Sequence, residues 1–496
     1  MIGSAYRVRI AAFSMTVLVM SISLIKSTSF LDSINWPKQI ALVSIAPIVI
    51  IIAIQGSFAL THSISIKLIL LLICIGIHFV YFISEGPPSH QKIWGQLDSS
   101  NGAITIASLL LITVAFSLFK NKVILVGLML FSLFSLGIVF SLLKLVNIAD
   151  PIDFYGNTNI VSFMYAIAFV SGLRFVFDTA LEMKTKCISF AGNLIVSMSL
   201  FRMEDFQGKV LAVIGTLFFL IYVLVRKVKS RIFLYFFLFI ASISSFAVFS
   251  GWVPFLAAFT QETLQLRIMF WRTSIAMVRE NLLFGVGAEN FQSSFREYAD
   301  ASALETVGSL PSPDNAHNYF LHLFATVGLL GTISIILPFL LGLFLLVKER
   351  GNQRTIGEVV FRIVFILLWL DLGISVSNVS ITVLGMAILG IILGGETGTS
   401  NYISKKKKIY LIFSTILFVF GCVMCNIALN STRIDREIIS LQMRPINLNN
   451  SDEIDLRVKE LMEIANDPKI LKSESAVIAL DLEALAASSL EISKRG

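Results

Sequence analysis

Between Arg267 and Gly331 the chain gathers four arginines and two of its five histidines around its one long polar interval. Guanidinium and imidazole groups together point to chemistry on a phosphorylated substrate. The planar fork of an arginine grips phosphate oxygens two at a time and stays charged. A histidine takes up or gives a proton near neutrality. The interval opens as RIMFWRTSIAMVRENLLFGVGAENF and closes as DNAHNYFLHLFATVGLLG. The rest of the chain is mostly apolar runs, so these groups collect where the chain leaves apolar surroundings.

The opening half has a helical period. Leu264, Ile268, Trp271, Ile275, Val278 and Leu282 recur at alternating intervals of four and three residues, which is one stripe of a helix. Arg267 flanks one side of that stripe; Arg272 and Arg279 flank the other. Three arginines and Glu280 make a poor membrane span, and a helix lying at the membrane surface fits better. Its arginines then sit at headgroup depth. A lipid carrier presents its phosphates there, but so do ordinary phospholipids, which account for Arg272 and Arg279 equally well. Gly285-Val286-Gly287 ends the helix in a turn. The closing half, Pro311 to Asn318, is rich in turn residues and leads straight into an apolar run. His317 therefore stands at the mouth of a membrane helix, placed to act as a base. Asn318 and Asp314 are alternatively helix caps. His322 follows five residues later, roughly 140° around a helix, so the two histidines are poorly placed to share a metal. No metal or cofactor site is expected.

The elements that position these groups follow from composition. Of 496 residues, 56% are hydrophobic and 14% charged, with a mean hydropathy of +0.83. Soluble proteins carry about 25% charged residues. The expected class is an all-α polytopic membrane protein with about 12–14 transmembrane helices. A span needs ~20 apolar residues. Candidates run 8–25, 38–55, 66–84, 102–119, 123–143, 158–177, 187–201, 209–226, 231–250, 319–347, 358–377, 379–395 and 409–430. Residues 358–395 read as one hairpin or a broken pair. Arg7 and Arg9 precede the first span, which reads as retained rather than cleaved.

Lysine and arginine distribute as the positive-inside rule requires. With the N-terminus cytoplasmic, inside loops hold 18 of these residues and short outside loops hold 6. That count places residues 251–318, between helices 9 and 10, outside. The expected organisation is a transmembrane bundle over 1–250, the outside loop over 251–318, further spans over 319–430 and a small helical tail over 431–496. Segments 452–465 and 475–490 of the tail have helical spacing. The net charge of +7 belongs to the inside loops, and no basic patch interleaved with aromatics indicates nucleic acid. The four cysteines lie in or beside apolar runs, which argues against a disulfide framework. Two charged groups fall within spans. Asp371 stands towards the outer half of its span, able to orient His317, pair with an arginine or bond locally. Arg174 lies near an inner end, where it can snorkel.

In order along the chain stand R-x-x-x-W (Arg267, Trp271), G-x-G-x-x-x-F (Gly285, Gly287, Phe291), H-N-x-x-L (His317, Asn318, Leu321) and G-x-x-G (Gly328, Gly331). This set resembles the O-antigen ligase/polymerase family. The resemblance implies a metal-independent, inverting GT-C-type glycosyltransferase of the bacterial inner membrane, with its active site facing the periplasm. It implies an undecaprenyl-pyrophosphate-linked glycan as donor and lipid A–core, or another glycan, as acceptor, met among membrane lipids. By motif position His317 resembles the family's catalytic histidine and Arg267 its pyrophosphate-binding arginine. A second family arginine matches Arg202, although the stretch Ser199 to Glu204 lacks the serine-arginine contact usual there. Arg272, Trp271, Asn318 and Asp371 complete the expected substrate-binding set. A polymerase of the same family is the near alternative. A polysaccharide or lipid transporter, or a structural partner in an export complex, is remote.

Overall fold

In the computed structural model the described residues cover most of 2–394, apart from 28–33, 57–65, 85–94, 96–101, 120, 226–253, 289, 309–311, 349–354 and 376–377; beyond 394 they are chiefly 451–466. Among them the chain forms sixteen helices and no strand. Three begin the chain: α1 (Ile2–Ile22), α2 (Asn35–Gly56) and α3 (Ile66–Ser84). Next come α4 (Ala103–Leu118), α5 (Lys122–Leu145), the short α6 (Ile152–Tyr155), α7 (Thr158–Phe177), α8 (Met183–Arg202) and α9 (Gln207–Val225). The polar interval holds α10 (Pro254–Glu280), α11 (Phe291–Tyr298) and α12 (Ala301–Val307). Then follow α13 (Tyr319–Lys348), α14 (Ile356–Leu372) and α15 (Val379–Leu393), with α16 (Ser451–Ala465) in the tail.

The fold is all-α and polytopic, as its apolar periodicity requires. Among the described residues, four helices are long and apolar enough to cross a membrane: Asn35–Gln55, Lys122–Leu145, Thr158–Phe177 and Tyr319–Leu346. Shorter apolar helices cover Leu70–Phe82, Ala103–Leu118, Gln207–Val223 and Val379–Leu393. The expected spans 231–250 and 409–430 lie outside the described residues. Residues 358–395 form two helices. Thr355 and Glu358 close a capping box at the start of α14, and Asn378 caps α15 through its side chain. Every residue of α15 is buried, the pattern of a helix at the centre of a bundle. Thr113 of α4 donates to the Met386 carbonyl of α15 at 3.2 Å, and Gly390 abuts the Thr113 carbonyl. Small residues thus let these apolar helices approach closely.

Polar contacts between loops sort the bundle into two ends, and the sorting follows the alternation read from lysine and arginine. At one end Asn378 meets Asn35 at 3.2 Å, Gln207 meets Asp371 at 2.6 Å, Lys26 meets Asp153 at 3.9 Å and Arg267 meets the Ile374 carbonyl at 3.0 Å. At the other, Lys122 reaches the Ile392 carbonyl at 3.3 Å and Arg362 reaches the Leu346 carbonyl at 2.9 Å. In the tail, α16 forms with the spacing expected of 452–465. Ile454 and Leu461 pack there with Ile438, Leu441 and Ile478.

The α13 rod is broken at Gly328, whose backbone lies at φ 61°, ψ −168°. Only glycine enters that region readily. The break frees carbonyls and amides that would otherwise pair within the helix, and the turn after α10 takes them. Val286 N–H donates to the Ala325 carbonyl and Gly287 N–H to the Thr326 carbonyl, both at 2.9 Å. In return Leu329 N–H donates to the Leu282 carbonyl at 2.8 Å. A Cβ on Gly285 would lie 2.4 Å from the Thr326 oxygen, and one on Gly328 would lie 2.5 Å from the Gly285 nitrogen. The two glycine motifs of the sequence are therefore one backbone-to-backbone joint. Gly328→Ala is expected to lower stability by about 1–3 kcal/mol from its dihedral angles alone, and further through the clash. Thermal unfolding in detergent measures it. A variant as stable as the wild type would contradict this account of the joint.

Candidate functional site

The joint fixes α10 against the start of α13 and so brings two distant segments together. The face that α10 buries is not its apolar stripe. Thr273, Ser274 and Met277 are buried, whereas Ile275 and Leu282 are exposed. The two hydroxyls donate back to the Met269 and Phe270 carbonyls, so the face can bury them without leaving donors unmet. Phe270 and Met277 pack with Phe291, Phe295, Ala316 and Ala325.

His317 lies over this face. Its ring stacks on Phe270, with centroids 5.7 Å apart and planes at 22°. Its backbone is left-handed at φ 48°, which is uncommon for a residue with a Cβ. Neighbouring side chains hold that conformation. The Asn315 side-chain oxygen accepts the His317 N–H at 2.8 Å, and the Asn318 side-chain oxygen caps α13 by accepting the Leu321 N–H at 3.0 Å. Asn318 thus takes the capping role that its position allowed. Burial depresses the His317 imidazole below its ordinary value, and the Arg267 charge depresses it further, while Asp314 acts the other way. Both effects favour the uncharged ring, the form that can accept a proton.

Arg267 is half-buried on α10. One of its terminal nitrogens, Nη1, donates to the Ile374 carbonyl at 3.0 Å, just past the end of α14. Burial pulls the guanidinium below its ordinary value; the charges of Asp205 and Asp371 oppose that pull. Asp371, the penultimate residue of α14, is buried and accepts from Gln207 Nε2 at 2.6 Å. Asp205 accepts from the Ser162 hydroxyl at 2.5 Å. With its amide turned to donate, Asn159 reaches the same carboxylate at 3.1 Å. Gly208 N–H bonds the Ser162 oxygen at 3.2 Å. The result is an arginine bonded to one carbonyl, with two carboxylates acting on it through their charge, and a histidine within the arginine's own field.

The remaining expected residues fall in different places. Trp271 is half-buried one turn beyond Arg267. Arg272 is exposed and faces away from the cluster. Its charge acts on Asp300, whose carboxyl is held low first by the Ala303 N–H and only in smaller part by Arg272. Arg202 is exposed at the end of α8, in a separate cleft none of whose lining residues belongs to the Arg267–His317 cluster. His322 is buried against Phe291, with centroids 5.2 Å apart. Asp205, Gln207 and Phe270 are not marked out by the sequence. The first two had a weak signal, being polar residues packed into a short connection between apolar runs. Phe270 is one of 41 phenylalanines and had none.

Chemically, the cluster offers a fixed cation beside a proton acceptor, reached from one end of an apolar bundle. A family model described as O-antigen ligase matches residues 206–336, which include Gln207, Arg267 and His317 and exclude Arg202 and Asp371. No curated protein matches the chain. The chain is thus a multi-pass membrane protein in which residues 206–336 match the O-antigen ligase family.

Proposed function

We propose that the protein transfers a glycan from undecaprenyl pyrophosphate to a sugar hydroxyl of lipid A–core, at the periplasmic face of the bacterial inner membrane. The observation that carries this reading is the placement of His317 within the field of Arg267, on separate elements joined by the glycine pair. The bond between the anomeric carbon and the pyrophosphate oxygen breaks, and the leaving group carries away the electron pair. Arg267 neutralises that charge where water is scarce. The acceptor hydroxyl attacks from the opposite face, inverting the centre, and His317 takes its proton. The charges of Asp205 and Asp371 favour the charged guanidinium, the Ile374 carbonyl anchors it, and Gln207 positions Asp371. The donor is already activated, so no glycosidase-like carboxylate pair is needed and the reading calls for no metal.

Deleting the gene is expected to leave carrier-linked glycan in the cell and lipid A–core without glycan. Separating the two pools measures this. Single repeat units still attached, with chain extension lost, would overturn the reading in favour of a polymerase.

The protonation state of His317 gives a second test. A base must be neutral to act, so kcat/KM falls on the acid side with the His317 titration. That limb is expected below the ordinary imidazole value of about 6.5. Asp314→Asn removes the charge that raises His317 and is expected to move the limb to lower pH. A limb at or above the ordinary value, or an upward move in the variant, would refute the assignment.

A further inference from the structure

The end of α5 and the end of α8 enclose a cleft that the transfer reading does not use. Its volume is about 570 Å³, within the range of small-molecule sites, roughly 300–1,000 Å³. Lys144 of α5 lines one wall, Ile195 and Arg202 of α8 line the other, and Asp150 closes it. The lining holds two cations, Lys144 and Arg202, and two carboxylates, Asp150 and Asp153, but both carboxylates are already paired. Lys144 sits 3.1 Å from an Asp150 oxygen, and Asp153, also at the cleft, has Lys26 at 3.9 Å. Arg202 makes no ion pair or hydrogen bond among the described residues. Arg202 is therefore the one charge of the lining without a counter-ion among the described residues.

The surroundings of the cleft are apolar. Phe190, Leu194, Met198 and Phe201 are all exposed and fall at intervals of four, four and three along α8. A continuous exposed apolar stripe on a helix of a membrane bundle faces lipid. Ile148, 73% exposed, extends the apolar rim from the other wall. A ligand that satisfies both features has an anionic head and apolar chains.

We propose that this cleft holds the head of an anionic bilayer phospholipid. Its phosphodiester lies on Arg202, and its acyl chains run down the Leu194–Met198 stripe. Charge complementarity selects this occupant, and the proposal stands whether or not the transfer reading does.

The test uses the full-length protein reconstituted in nanodiscs of equal phosphatidylglycerol and phosphatidylcholine, then released into mild detergent. Native mass spectrometry counts the lipids retained. Wild type is expected to keep one phosphatidylglycerol with about tenfold preference, the size of one charge-assisted contact. In Arg202→Gln, an exposed and conservative change, that count falls by one. Ile195→Trp fills the cleft while keeping every charge and is expected to lose the same lipid. Lys184→Ala, exposed on the first turn of α8, retains it. Equal retention of both lipids by the wild type, or an unchanged count in both cleft variants, would overturn the proposal.

Discussion

Replacing His317 with alanine is expected to lower glycan transfer by about 10²–10⁴-fold, the usual contribution of a positioned proton-transfer group. Partial burial and the Arg267 charge hold the imidazole below its ordinary value, which favours the form that accepts a proton. Asp205 and Asp371 are engaged by Ser162 and Gln207. The left-handed backbone of His317 complicates a simple alanine experiment. At φ 48° an alanine is strained, so some loss could arise from a disturbed turn. His317→Gly separates the two causes, because glycine takes that conformation without strain. The glycine variant is expected to be as inactive as the alanine variant and at least as stable. Activity recovered in the glycine variant would show that His317 serves the turn and not the chemistry.

Arg267→Ala is expected to cost about 10²–10³-fold in transfer, the scale of losing one preorganised charge at a developing anion. This substitution also removes a positive charge near the buried Asp371 and the half-buried Asp205, which destabilises the fold in its own right. Arg267→Lys distinguishes the effects. Lysine keeps the positive charge that acts on Asp205 and Asp371 and so is expected to restore thermal stability. It cannot hold the Ile374 carbonyl and a phosphate at once as a planar fork does. Transfer is therefore expected to stay well below wild type, with kcat falling more than KM rises. A lysine variant with full activity would reduce Arg267 to a diffuse charge.

Much of this arrangement was legible in the sequence because the bilayer imposes it. Apolar length marked α2, α5, α7 and α13 closely, and lysine and arginine in the loops gave the alternation that the end-to-end contacts follow. The helix at Arg267 was legible from its stripe, although α10 begins earlier, at Pro254. What was hidden depends on contacts between distant segments. Gly285 and Gly328 each read as an ordinary turn glycine; only packing shows that they face each other across a broken helix. The stripe of α10 marked the apolar face but not the face that packs, because Thr273 and Ser274 satisfy their hydroxyls locally and bury. Asp371 read as a carboxylate within a span, yet α14 ends one residue later. Arg202 drew attention as a cation near a span end, while its neighbours Asp205 and Gln207 are the ones that reach the cluster.

The central claim is that Arg267 and His317 form one transfer site acting on a pyrophosphate-linked glycan. Its most direct test is transfer by the purified protein in vesicles, with that donor, a lipid A–core acceptor and EDTA present. Wild type is expected to attach glycan to the acceptor, and the His317→Gly and Arg267→Lys proteins, folded to the same extent, to fall far short of it. No transfer by wild type, or equal transfer by all three, would contradict the account.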